Sequence, residues 1–286
     1  MTASETASDT VTRFAPSPTG HLHKGHAYAA LRAWNFAREQ GGRFLLRIED
    51  IDFTRCSAEN TKQILDDLAW LGIEWEEPVR IQSEHPGELE SCAATLQKKD
   101  FLYPCFCTRK DIEREIERAG QAPHGSEGPI YPGTCRHLSL DEVTSRMKAG
   151  ATYALRLDLE KAKSHIGREL VWEDSRHGQQ IAKPELLGDA VIVRKDIGTS
   201  YHLAVVHDDG LQGITDIVRG DDLFESTHLH RVLQELLGLP APKYHHHALL
   251  TDESGNRLAK RDNAITLKSL RESGVSATQL QRELGF

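Results

Sequence analysis

The chain has 286 residues, 38% hydrophobic and 27% charged, enough to bury a substantial core in one large or two smaller domains. No apolar run is long enough to span a bilayer, and residues 1–10 lack the apolar stretch of a signal peptide, so they read as a loose tail and the chain as cytoplasmic. A net charge of -8 argues against a nonspecific nucleic-acid binder, though not against a local basic patch, and five cysteines argue against a disulfide framework.

Residues 12–15 read as a short strand entering the turn-rich Pro16-Ser17-Pro18-Thr19-Gly20. Ala27, Ala30, Leu31, Trp34 and Ala37 recur at helical spacing and predict a helix over 25–40, ended by Gly41-Gly42. Phe44, Leu45, Leu46 and Ile48 predict a buried strand, so the chain opens as βαβ and implies an α/β fold with a parallel sheet. An amphipathic helix is expected over 60–71. Residues 101–187 hold three of the five cysteines and a Gly/Pro-rich stretch, and read as an insertion with its own small core. Strands at 190–193 and 213–218 should resume the sheet, and a helix should cover 227–237.

Two segments carry chemistry. The first runs from Arg13 through Phe14, Ala15, Pro16 and Ser17 to His23-Lys24-Gly25-His26, where a strand turns into a helix. Helix N-termini offer free amides and partial positive charge to phosphates, and Gly25 lets a nucleotide approach the backbone. His23 and His26, three apart, can share one face; the competing reading is a capped turn with two solvated histidines. The second segment, Arg257-Leu258-Ala259-Lys260-Arg261, is either a loop that closes over phosphates or a solvated basic run.

Together these segments resemble the HIGH and KMSKS signatures of class I aminoacyl-tRNA synthetases. Further segments resemble the glutamyl branch: Arg47-Ile48-Glu49-Asp50-Ile51-Asp52, Tyr201-His202-Leu203-Ala204 and Val218-Arg219-Gly220-Asp221-Asp222-Leu223. The match is strongest to that branch's short paralogues, which glutamylate queuosine in tRNA(Asp) and lack the C-terminal anticodon-binding domain; this chain stops where that domain would begin. The resemblance implies a Rossmann-type doubly wound core in two halves (11–100 and 188–250), an inserted zinc-binding α/β subdomain (101–187), and a closing segment (251–286) with the KMSKS-like loop. It implies glutamyl-adenylate formation from ATP and L-glutamate without tRNA, with Mg²⁺ accompanying ATP, then transfer to tRNA(Asp) carrying queuosine, by a monomer. Arg13 and Arg219 would hold the glutamate side-chain carboxylate, with Phe14, Ala15, Pro16, Ser17 and Tyr201 lining the pocket and Glu49 pairing with the ammonium group. His23, Gly25, His26 and Lys260 would meet the ATP phosphates, with His23, His26 and Lys260 catalytic. Arg257 and Ala259 depart from the usual Lys and Ser of that loop, Lys24 from the usual Ile, and Val205 stands where longer glutamyl enzymes commonly carry Asn.

Cys105, Cys107 and Cys135 can bind one zinc tetrahedrally with a fourth ligand, or be three ordinary thiols. The resemblance implies Tyr131 as the fourth ligand; His137 is the rival. His245-His246-His247 looks like a metal tract, but neighbours in a strand point to opposite faces and cannot converge on one ion. His207-Asp208-Asp209 and Asp221-Asp222 are expected to be solvated or capping groups. No Walker loop or G-x-G-x-x-G is present, which removes P-loop and dinucleotide readings.

Overall fold

A computed structural model describes residues 9–119, 124–125, 128–251 and 265–286. The first strand, β1 (Val11–Phe14), is buried along its whole length and leads into α1 (Lys24–Glu39), whose Ala27, Ala30, Leu31, Ala33 and Ala37 face the core. The turn after α1 needs Gly42, because a Cβ there would sit 2.4 Å from the Thr10 carbonyl oxygen. β2 (Arg43–Ile48) then lies parallel to β1, with Val11 opposite Arg43 and Phe14 opposite Leu46. Five consecutive residues of β2 are buried, as expected of a strand covered on both faces. α2 (Ala58–Trp70) leads to β3 (Glu76–Ile81), parallel on the far side of β2, and α3 (Pro86–Lys98) follows.

β4 (Leu102–Cys105), α4 (Arg109–Ala119), the short ladder of β5 (His124–Gly125) with β6 (Gly128–Pro129), α5 (Leu140–Lys148), β7 (Ala154–Leu157) and α6 (Leu159–Ile166) come next. The hairpin β8 (Val171–Asp174) and β9 (Gly178–Ile181) precedes β10 (Val191–Val193) and α7 (Tyr201–Leu211). β11 (Asp216–Gly220), α8 (Phe224–Leu237), β12 (Lys243–His247), α9 (Leu267–Glu272) and α10 (Ala277–Glu283) complete the described chain.

β1, β2 and β3 form one sheet, and β11, β12, β8 and β9 another, with β11, β12 and β8 parallel. Thr215 ties the two together: its N–H donates to the Val11 carbonyl at 2.9 Å and its hydroxyl accepts from the Val11 N–H at 2.8 Å. The chain thus winds outward from β1 to β3 and returns to place β11 beside β1. A crevice opens at that reversal, outside the carboxyl ends of the strands, where open α/β sheets bind ligands.

Residues 190–193 do not resume the parallel sheet. They form β10, antiparallel to β7, which pairs with β4 on its other edge. The cause is packing: Ile192 is buried with Leu102, Leu157 and Leu203, in a core shared with α3, α7 and α8. Conversely, the β8–β9 hairpin lies within 101–187 yet pairs with β12, because Trp172 packs on Ile217 and Tyr244. The strand expected at 213–218 begins only at Asp216, after Gly213 turns the chain with φ at +65°. The closing helices fold back onto the start: Leu267 and Leu280 join the α1–α2 core, and Thr266 bridges to His23. Among the described residues no helix is long and apolar enough to cross a membrane.

Candidate active site

A cavity of about 650 Å³ fills the crevice between β1 and β11. Arg13, Phe14 and Ala15 enter it from the end of β1, Val218, Arg219 and Gly220 from the end of β11, and Glu49 from just beyond β2. His23, Gly25 and His26 line it at the start of α1, and Tyr201 and Val205 from α7. Pro16 and Ser17 are not part of its wall. The Pro16 carbonyl accepts the Glu49 N–H at 3.0 Å, and the exposed Ser17 hydroxyl lies 3.7 Å from the Cys56 sulfur. Arg257, Ala259 and Lys260 lie outside the described residues.

His23 caps α1. Its Nδ1 accepts the Gly25 N–H at 3.1 Å, while His26 Nδ1 accepts the His23 N–H at 3.2 Å, and the two rings stack 3.8 Å apart. A neutral imidazole that accepts at Nδ1 carries its proton at Nε2. Both histidines therefore present Nε2–H donors beside a helix N-terminus, an arrangement suited to phosphate oxygens.

The buried wall below is a charge network. Arg13 makes a two-pronged pair with Asp209, at 2.9 and 3.2 Å. Arg47, fully buried, donates to Asp209 at 2.9 Å, to Gln212 at 2.8 Å and to Glu49 at 3.1 Å. Asp208 accepts from Arg80 at 2.9 Å and from Gln82 at 2.8 Å. These two aspartates are thus not solvated, contrary to the expectation from sequence; they compensate arginines that reach α7 from other strands. Asp221 is half-exposed but is also paired, with Arg176 and His177. Burial holds the Asp208 charge at a disadvantage, but His207, Arg47, Arg80 and Gln82 outweigh it and bring its pKa down to about 2. At Glu49 burial wins over Arg47 and Arg13, and its pKa is raised. Burial likewise pushes the Tyr201 phenol up to about 12, so it stays a neutral donor.

Arg219 is 5% exposed. Its Nε donates to His246 Nε2 at 3.1 Å, and one terminal nitrogen to Thr227 at 2.6 Å and to the Leu223 carbonyl at 3.1 Å. The other terminal nitrogen is buried without a partner. Such a donor is costly to leave unmet.

The histidine run alternates as expected. His245 meets Asp216 at 2.8 Å and Phe36 of α1; His247 packs on Tyr28 of α1 and lines the cavity. His246 points the other way, to Asp174. Asp174, Asp208, Asp209 and His246 are the participants that sequence reasoning missed. Their signal is weak, because each partner is remote in the chain.

Away from the cavity, Cys105, Cys107 and Cys135 place their sulfurs within 4.8 Å of one another, a group that can hold a metal ion. The Tyr131 hydroxyl is 3.6 Å from the Cys107 sulfur and accepts the Cys135 N–H at 2.8 Å. His137 is exposed and outside this group. Burial opposes ionisation of Cys105, but hydrogen bonds from Tyr131 and Arg156 hold its pKa below the ordinary thiol value; burial and the neighbouring sulfurs push Cys107 up to about 12. Three thiols and a phenol with one such donor set fit a tetrahedral cation.

Residues 9–285 match the family of class I tRNA synthetases (E and Q), catalytic domain. The chain is 46% identical over 282 residues to the glutamyl-Q tRNA(Asp) synthetase of Rhodobacter capsulatus, spanning 96% of this chain and 100% of that one. It is 39% identical over 265 residues to the glutamate–tRNA ligase of Aquifex aeolicus, spanning 92% of this chain but 54% of that protein. The crystal structure of a glutamate tRNA ligase from Elizabethkingia meningosepticum, in complex with its amino acid, superposes with a TM-score of 0.74 at 30% identity, over 89% of this chain and 52% of that one. The chain belongs to the class I aminoacyl-tRNA synthetases of the glutamate and glutamine branch and is a ligase of that class.

Proposed function

We propose that the chain activates glutamate with ATP, without tRNA, and transfers it to queuosine in the anticodon of tRNA(Asp). The observation that carries the amino-acid half is the unpartnered nitrogen of Arg219, in one cavity with Glu49 and the paired histidines. The glutamate side-chain carboxylate binds Arg219 and Arg13, and its ammonium binds Glu49. Glutamine would turn an amide N–H₂ or a single carbonyl towards those donors and is rejected. The α-carboxylate attacks the α-phosphorus and pyrophosphate leaves; no protein nucleophile is needed. The Nε2–H groups of His23 and His26 and the α1 N-terminus meet the phosphate charge, with Mg²⁺ carried in on ATP.

Support for an RNA acceptor comes from a second cavity of about 400 Å³ across Tyr201, lined by Arg109, Arg156 and Arg194. Arg194 is paired there with Asp52 and Asp196, so Arg109 and Arg156 carry the local charge that suits loop phosphates despite the overall -8. The name of the Rhodobacter capsulatus relative supports queuosine as the acceptor. Zinc, held by Cys105, Cys107, Cys135 and Tyr131, would brace the wall of this second cavity, to which Tyr131 also belongs.

The purified chain should catalyse glutamate-dependent ATP–pyrophosphate exchange without tRNA, and Lys260→Ala should slow it by about a hundredfold or more. It should label tRNA(Asp) carrying queuosine and not the same transcript carrying guanosine there. Removing the terminal adenosine should leave labelling intact, whereas periodate should abolish it. Glutamate on the 3′ end of an unmodified glutamate tRNA would instead identify a short synthetase.

A further inference from the structure

The buried pair Asp174–His246 has no part in the function above, and neither residue lines the cavity. Asp174 has no spare capacity. One oxygen accepts the Arg176 and His177 N–H groups at 3.0 and 2.9 Å; the other accepts the His246 backbone N–H at 3.2 Å and meets His246 Nδ1 at 2.7 Å. An ionised carboxylate only accepts, so His246 must carry its proton at Nδ1. That leaves Nε2 as a lone pair, and the Nε–H of Arg219 donates to it at 3.1 Å. Thr227 and the Leu223 carbonyl take one terminal nitrogen, which leaves the other buried and unpartnered on a residue that lines the cavity.

We propose that Asp174 and His246 are positioning residues that aim Arg219 at the substrate carboxylate, by fixing the imidazole tautomer that accepts the Arg219 Nε–H. The inference rests on the reading that Arg219 binds glutamate. The geometry assigns each atom a duty. Asp174, on β8, sets the proton; His246, on the middle strand β12, passes on an acceptor; Arg219, on β11, is held by it at the far end of the chain. Three adjacent parallel strands thus deliver one donor, and the in-register pairing of Arg219 with His246 keeps the second link short.

Asp174→Asn tests this with little change of volume. Its carboxamide N–H₂ would face Nδ1, move the proton to Nε2 and set two donors against each other at Arg219. In pyrophosphate exchange the KM for glutamate should rise roughly 10- to 100-fold while the KM for ATP stays within about twofold. A general loosening of the site would move both. In ¹⁵N NMR of histidine-labelled protein, His246 should be the Nδ1–H tautomer in the unchanged chain and the Nε2–H form in Asp174→Asn. His246→Gln, whose carbonyl reaches the place of Nε2, should bind glutamate better than His246→Asn, which reaches only the place of Nδ1. If Arg219→Ala raises the glutamate KM but Asp174→Asn does not, the positioning role is wrong and the substrate reading stands. If Arg219→Ala leaves that KM unchanged, the substrate reading falls and this inference with it. An Nε2–H tautomer in the unchanged protein also overturns the proposal.

Discussion

At the scale of single residues, the cavity depends on Asp209. One carboxylate holds Arg13 in a two-pronged grip and accepts from Arg47, which in turn holds Glu49. The opposite ends of the site, cationic and anionic, are thereby fixed relative to each other by one buried anion. Asp209→Leu would remove both hydrogen bonds that hold the buried Arg13 guanidinium to it and one of the partners of Arg47. It should cost about 3–5 kcal/mol in urea denaturation, the usual toll of removing one partner from a buried pair, and raise the KM for glutamate. A loss below about 1 kcal/mol would mean that the arginines find other partners. Arg13, Glu49, Tyr201, Arg219, His23 and His26 were legible in the sequence because they stand in contiguous motifs. Asp209 was not, since its partners lie across the sheet, and two adjacent aspartates next to a histidine look like any solvated acidic pair until Arg13 and Arg47 are brought against them.

Among the elements, helices with a regular apolar stripe were the most legible. α1 was expected over 25–40 and is found at Lys24–Glu39, because its alanine-rich face alone determines what it buries. Short apolar strands carried no such information: Val191–Val193 is equally apolar whether it joins a parallel or an antiparallel neighbour, and only the packing of Ile192 decides. The β4–β7–β10 sheet connects this question to the cysteines, since Cys105 ends β4 and lies opposite Ala154 of β7. Around them Tyr103, Tyr131 and Cys135 make only a small apolar cluster. Protein prepared without added metal should carry one zinc per chain by elemental analysis. Its chelation should speed amide hydrogen exchange in β4 and around Tyr131 before it slows pyrophosphate exchange. Metal-free protein with unaltered exchange there would show that the three thiols need no ion. Tyr131→Phe should weaken zinc retention and His137→Ala should not.

On the scale of the whole molecule, the order of strands β3-β2-β1 beside β11-β12 sets where the site opens; the βαβ start of the sequence implied the parallel sheet but not this order. What the sequence did not reveal is that acidic side chains of α7 stitch the first half of the fold to the second. Asp208 is the innermost of these, and its stitch is pH-dependent. Its folded pKa, about 2, lies below the ordinary 3.8, so its contribution is whole above pH 3.8 and is lost as pH falls through about 2. That shift corresponds to roughly 2 kcal/mol. The stability gap between the unchanged chain and Asp208→Asn, by urea denaturation, should therefore narrow between neutral pH and pH about 3; a gap that stayed constant would locate the stabilisation elsewhere.

The three consecutive histidines of β12 behave as a ruler with identical marks. Slipping that strand by one residue against β11 would leave a histidine opposite Arg219, so composition alone cannot tell the right alignment from the wrong one. The slip would also turn every side chain of the strand to the opposite face, so that Tyr244 and His246 would point to the α1 side. The true reading is set by Tyr244, which is 1% exposed and sits between Trp172 and Gln234. A residue that never meets substrate therefore decides which of three identical side chains has a chemical task, and the error it prevents is one that a count of histidines could not detect.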